Sequence, residues 1–152
     1  MTMIFLRLLA ISPFFQQGGF AALTNCGSAY PVNHLYVDPP FAVAVNQPVH
    51  ISVSFNALEP ILNGTLHTSV HMNYINVFES TELFNRHLAI PLPVGPHVIN
   101  RTTSFPPDLW GKIQLTFSFY NQENRRFLCV QYNVIATGSN TNKTGWSSML
   151  GL

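Results

Sequence analysis

The stretch Ile113-Gln114-Leu115-Thr116-Phe117-Ser118-Phe119 places a bulky apolar residue at every second position, with small polar residues between. A period of two is the signature of a β-strand with one face on a core and the other in water. Asn121 to Arg125 follows as a polar tip, and Leu128, Val130, Tyr132 and Val134 then resume the alternation. Two such runs around a short polar loop predict an antiparallel hairpin.

The same period recurs upstream. Val49, Ile51, Val53 and Phe55 alternate with His50, Ser52 and Ser54, and Leu66, Thr68, Val70, Met72 and Tyr74 alternate with His67, Ser69, His71 and Asn73. Leu35 to Val37 and Val98 to Thr103 are shorter strand candidates. Breakers fall between the runs: Asp38-Pro39-Pro40, Asn46-Gln47-Pro48, Glu59-Pro60, Asn63-Gly64, Pro91 to Pro96 and Pro106-Pro107-Asp108. Only Phe78 to Leu88 offers a short helix, with Ser80 as its N-cap. Strands at this spacing without alternating helices predict an all-β, immunoglobulin-like antiparallel β-sandwich.

Composition narrows the function classes. The 152 residues are 47% hydrophobic and only 9% charged, against roughly 25% charged in an average domain. Seven basic residues face six acidic ones without a run of either sign, so the basic stripe of a nucleic-acid binder is missing. No segment reaches the ~18 continuous apolar residues of a spanning helix.

The N-terminus reads as an address. Apolar Ile4 to Phe15, interrupted by Arg7, Ser12 and Pro13, ends at Gly19-Phe20-Ala21, a small-residue cleavage pattern. The expected division is a signal peptide over 1–21, a sandwich over 22–138 and a flexible tail over 139–152. Removal of Arg7 with the first segment leaves six basic against six acidic residues. Three N-glycosylation acceptors, at Asn63, Asn100 and Asn142, agree with export. Two cysteines, Cys26 and Cys129, suit one disulfide in an oxidising compartment, with a pair of reactive thiols as the rival reading.

Motifs for chemistry are not found: no nucleophile elbow, phosphate loop, dinucleotide fingerprint or zinc-protease helix. Glu79 and Glu82 could pair as acid and base, although a solvated helix face is the commoner explanation. His67 and His71 would share a metal on a helix, whereas on a strand rising ~3.3 Å per residue they stand about 13 Å apart. No metal, cofactor or catalytic residue is therefore expected. The six histidines are the groups able to change charge near neutral pH; they are either polar-face residues without a role or the source of stronger binding to anionic membranes under acid conditions.

Several stretches resemble a known family. Asn25-Cys26-Gly27-Ser28, Leu35-Tyr36-Val37-Asp38-Pro39 and Leu92-Pro93-Val94-Gly95 are similar to segments of the MD-2-related lipid-recognition (ML) domain family, which includes Niemann-Pick C2 and the GM2 activator. The closing block, Ile113 to Phe119 and then Phe127-Leu128-Cys129-Val130-Gln131-Tyr132, resembles the family's last hairpin. The resemblance runs from about Asn25 to Ala136. It departs at Leu92, where a family cysteine is common, and the family's other disulfides are missing.

The resemblance implies a secreted or lysosomal β-sandwich that holds a sterol, glycolipid or phospholipid in a cavity between its sheets, without catalysis. It also implies that Cys26 and Cys129 bridge the first strand to the last hairpin. Inward bulky residues are the pocket candidates: Phe55, Val70, Met72, Tyr74 and Phe117, with Phe119, Val130 and Tyr132. Phe105 and Trp110 join them from the proline-rich loop, where Trp110 would also suit transient contact with a membrane. For any one of these residues a dry, filled core is the commoner explanation; the surplus of aromatic side chains taken together is what favours a cavity. The other functional readings are a solid receptor-associated adhesion or signalling module, and an activator that presents lipid to a hydrolase.

Overall fold

A computed structural model describes residues 22–86 and 88–137. The expected signal peptide, the tail with Asn142, and His87 lie outside the described residues.

Among the described residues nine strands form two sheets. Leu23–Asn25 (β1), Val32–Asp38 (β2), Ala42–Ala44 (β3), Pro48–Ala57 (β4) and Gly64–Met72 (β5) come first. Ile75–Leu83 (β6), Gly95–Ser104 (β7), Gly111–Asn121 (β8) and Arg126–Thr137 (β9) follow. The larger sheet runs β1-β9-β8-β5-β6, with β3 added to β9, and the smaller runs β2-β4-β7. Every pairing is antiparallel except β3 with β9. The expected all-β sandwich is present.

Alternation decides what lies inside. Val49, Ile51, Val53 and Phe55 of β4 are buried, as are Ile113, Leu115, Phe117 and Phe119 of β8 and Leu128, Val130, Tyr132 and Val134 of β9. Burial of such a side chain contributes roughly 1.5–3 kcal/mol, so each strand is held in register by its own pattern. The β8–β9 hairpin turns over residues 122–125, as the polar tip predicts.

Residues 78–88 correct one expectation. Instead of a helix capped by Ser80, most of this segment is β6, and only Phe84–Arg86 forms a single 3-10 turn. Phe78, Ser80 and Glu82 pair with Val70, Thr68 and Leu66 of β5, so tertiary pairing overrides the local propensity.

A second correction concerns Tyr74. β5 ends at Met72, and Asn73 and Tyr74 form the two-residue turn to β6 with φ of 50° and 73°. Positive φ at both positions belongs to the tight hairpin turn matched to strand twist. The turn throws Tyr74 into solvent at 79% exposure, so it does not continue the inward row.

Cys26 and Cys129 form a disulfide, 103 positions apart in the chain. It joins the residue after β1 to the middle of β9, where the Cys26 amide also donates to the Cys129 carbonyl.

Candidate functional site

The inner faces of the two sheets hold most of the proposed side chains, but in three different settings. At one end the aromatic rings pack on one another. Phe127 lies 5.3 Å from Tyr30, 5.8 Å from Phe55, 6.1 Å from Phe119 and, edge-on, 5.7 Å from Phe84. Tyr30 donates its hydroxyl to Glu59, which also accepts from the Asn121 amide. Burial, then the Glu59 bond and charge, push the Tyr30 phenol up to about 12. Phe55 and Phe119 thus belong to a filled, hydrogen-bonded end.

Phe105 and Tyr132 occupy a second setting, stacked at 6.4 Å with planes 14° apart. Tyr132 donates to the Pro39 carbonyl at 2.6 Å. Burial, with the nearby Asp38 charge, pushes its phenol up to about 12 as well.

The third setting is the middle of the sandwich toward β6 and β7. These two strands are sheet edges, each paired on one side only. β1 packs beside β2 at the opposite side, which places the β6 and β7 edges on the same side of the sandwich. Val70 and Phe117 are buried there, with Met72 and Phe78 partly buried at its margin, whereas Val130 is buried farther along the Phe117 row, next to β1.

Polar groups interrupt this apolar surface. Arg101 of β7 pairs with buried Ile51, so its side chain points between the sheets, while Asn100 and Thr102 are exposed. Its guanidinium carbon stands 4.9 Å from the Phe117 ring centroid. Across the larger sheet Phe117 pairs with Thr68, and Thr68 pairs with Ser80, so the three share one row on the inner face. Arg101 Nη1, Thr68 Oγ1 and Ser80 Oγ are all buried without a hydrogen-bond partner. Such a group costs about 1–3 kcal/mol, and more when charged. Desolvation pulls the Arg101 pKa down, and the charge of Glu82, on the same inner face two residues beyond Ser80, opposes that shift.

Sequence reasoning missed Arg101, Thr68, Ser80 and Phe78. One signal was present: the glycosylation acceptor Asn100-Arg101-Thr102. An outward Asn100 requires an inward Arg101 on a strand.

Two candidates lie away from the interior. Tyr74 and Trp110, 79% and 47% exposed, sit at one tip with exposed Ile75 and Lys112. Asn73 braces the tip: its side chain accepts from the Lys112 amide at 3.0 Å, and its own amide donates to the Lys112 carbonyl. Gly111, at φ +81°, leaves the room, since a Cβ there would lie 2.5 Å from Asn73 Oδ1. Lys112 Nζ donates to the Tyr74 hydroxyl and stands 5.7 Å from its ring centroid.

His67 and His71 are half-buried on the outer face of β5, whereas His34 and His50 are exposed. Among the described residues no group of three His, Cys, Asp or Glu side chains is arranged to hold a metal ion. No helix there is long and apolar enough to cross a membrane. Asn63 and Asn100 are both exposed.

No protein-family model and no curated protein matches the sequence. Solved structures do share the backbone. A Niemann-Pick type C2 protein from the Japanese carpenter ant is similar at a TM-score of 0.59 and 12% identity, covering 75% of this chain and 98% of that one. Chicken MD-1, solved in complex with lipid IVa, gives 0.52 and 10% over 73% and 85%. The C-terminal domain of wzt gives 0.50 and 13% over 84% and 86%. At such identities the likeness is one of fold. The sandwich is that of Niemann-Pick C2 and MD-1, the architecture implied by the ML-domain resemblance.

Proposed function

We propose that this chain, with the sandwich fold of Niemann-Pick C2 and MD-1, is an exported, glycosylated carrier that binds a lipid between its sheets without a catalytic step. The observation that carries the reading is the β6–β7 side. The β6 and β7 edges border an interior lined by Val70, Phe117, Met72 and Phe78, away from the interlocked rings at the Phe127 end. Chicken MD-1 with lipid IVa is a precedent for a ligand on this fold. Parting the sheets along an edge that breaks no strand pairing is the least costly way to admit an acyl chain. Each methylene so buried contributes roughly 0.8 kcal/mol.

The Tyr74–Trp110 tip supplies a second part of the reading, contact with a membrane during loading. Aromatic rings with a polar end and an adjacent cation suit the headgroup region. The expected polypeptide divides into a signal peptide over 1–21, the sandwich over 22–138 and a tail over 139–152.

Native mass spectrometry of the secreted protein tests the main reading. We expect an additional lipid-sized mass that organic extraction removes. A bare polypeptide mass, together with no uptake of lipid from donor vesicles, overturns it in favour of a module with a solid core.

A further inference from the structure

We infer that Arg101, with Thr68 and Ser80, forms a carboxylate-binding site between the sheets, which makes the carried ligand a fatty acid or another lipid with a single carboxylate head. The inference deepens the lipid-binding reading and rests on it.

Three observations converge. First, three of the five unpartnered buried side-chain atoms among the described residues are one guanidinium nitrogen and two hydroxyls. They belong to residues of one row, Thr68 and Ser80 beside Phe117 and Arg101 over the Phe117 ring, whereas His71 Nδ1 and Asp108 Oδ1 lie elsewhere. Each of the three can donate a hydrogen bond, and the guanidinium can only donate. The partner they call for is an acceptor. Second, the guanidinium is held in place by the Phe117 ring at 4.9 Å, so its orientation toward a ligand does not have to be ordered on binding. Arginine presents its donors in a planar fork that suits a carboxylate. Third, this polar row interrupts the same inner face that carries Val70 and Leu66 on either side of Thr68, both buried. A chain with one polar end meets both requirements at once.

The site's charge selects among acidic lipids. Glu82 faces the same space and acts electrostatically on Arg101. A carboxylate adds one negative charge beside that pair. A phosphomonoester head group would add nearly two, which one guanidinium does not balance. Lipids that end in a phosphomonoester are therefore expected to bind less well than fatty acids.

The choice of ligands separates this inference from the reading beneath it. Oleic acid and oleyl alcohol share one chain and differ in the head group. The wild-type protein is expected to bind the acid about tenfold or more tightly than the alcohol, the equivalent of about 1.4 kcal/mol or more. In Arg101→Met, which keeps the apolar stem and the Asn100 acceptor triplet, that preference disappears while alcohol binding persists. Thr68→Val with Ser80→Ala narrows the preference, and Arg101→Lys retains part of it, with thermal melts verifying that each variant is folded. Equal binding of acid and alcohol by the wild-type protein overturns the carboxylate site and leaves the lipid reading intact. So does a preference unchanged in Arg101→Met. Binding of neither ligand, with no co-purified lipid, overturns both.

Discussion

Asn121 reaches across the end of the sandwich to Glu59, its Nδ2 donating to Oε1 at 3.1 Å. The same side chain accepts from the amides of Glu123 and Arg125 and so shapes the β8–β9 turn. With Tyr30 on the same carboxylate, this closes one end of the molecule over the packed rings. Under the proposed lipid-binding reading, a ligand would therefore enter from the β6–β7 side.

Asn121→Ala removes three hydrogen bonds at a site only 3% exposed. A loss of about 2–3 kcal/mol is expected. Denaturant unfolding measures it. Ligand affinity, read at a temperature where both proteins are folded, should stay within about twofold, because distant sites act nearly independently.

The bridge between Cys26 and Cys129 closes a loop of 103 positions. Replacing both by serine should cost about 4–5 kcal/mol in the chain-entropy treatment. Paired unfolding curves test this. A bridge that served a chemical step rather than stability would leave the midpoint unchanged.

High pH should destabilise the protein through two phenols. Tyr30 and Tyr132 are raised from 10.0 to about 12 in the folded state. Unfolded tyrosines ionise near pH 10, so between about pH 10 and 12 the unfolded chain binds fewer protons and gains relative stability. The contribution is complete below pH 10 and is lost as pH rises toward 12. Thermal melts across that range, compared with a Tyr30→Phe, Tyr132→Phe double variant, should show a shallower slope in the variant.

Asn63 precedes β5 in a loop, and Asn100 projects from the outer face of β7. Both side chains are exposed, and glycans are expected on each. Enzymatic deglycosylation with peptide mass spectrometry reads them separately. Unmodified asparagine at both positions would count against export through a glycosylating compartment.

Trp110→Ala with Tyr74→Ala should reduce lipid transfer from vesicles several-fold. Stability should change by no more than about 0.5 kcal/mol per site, as for exposed positions. Affinity for a monomeric ligand in solution should hold. Equal transfer rates in the two proteins would remove the tip from the loading step.

The architecture was legible in the order of the residues, and the reason is local. Burial of one strand face demands a period of two, so the rows through Val53, Leu115 and Tyr132 identify both the strands and their inner faces. The single cysteine pair, the glycosylation triplets and the polar tip at 121–125 were readable in the same way. Two segments escaped that logic. β6 carries Phe78, Ser80 and Glu82 at alternate positions, too polar an inner row to register as a strand. It is one because β5 supplies the pairing. Tyr74 obeys the period of its run but leaves the strand, because a hairpin turn intervenes at Asn73. Sheet packing alone set Arg101 over Phe117, in the row that Thr68 and Ser80 continue. Periodicity tells which face of a strand a residue occupies, but not what stands across the interior. These four residues come from four strands in two sheets, separated by up to 49 positions, and only the packing of one sheet on the other brings them together.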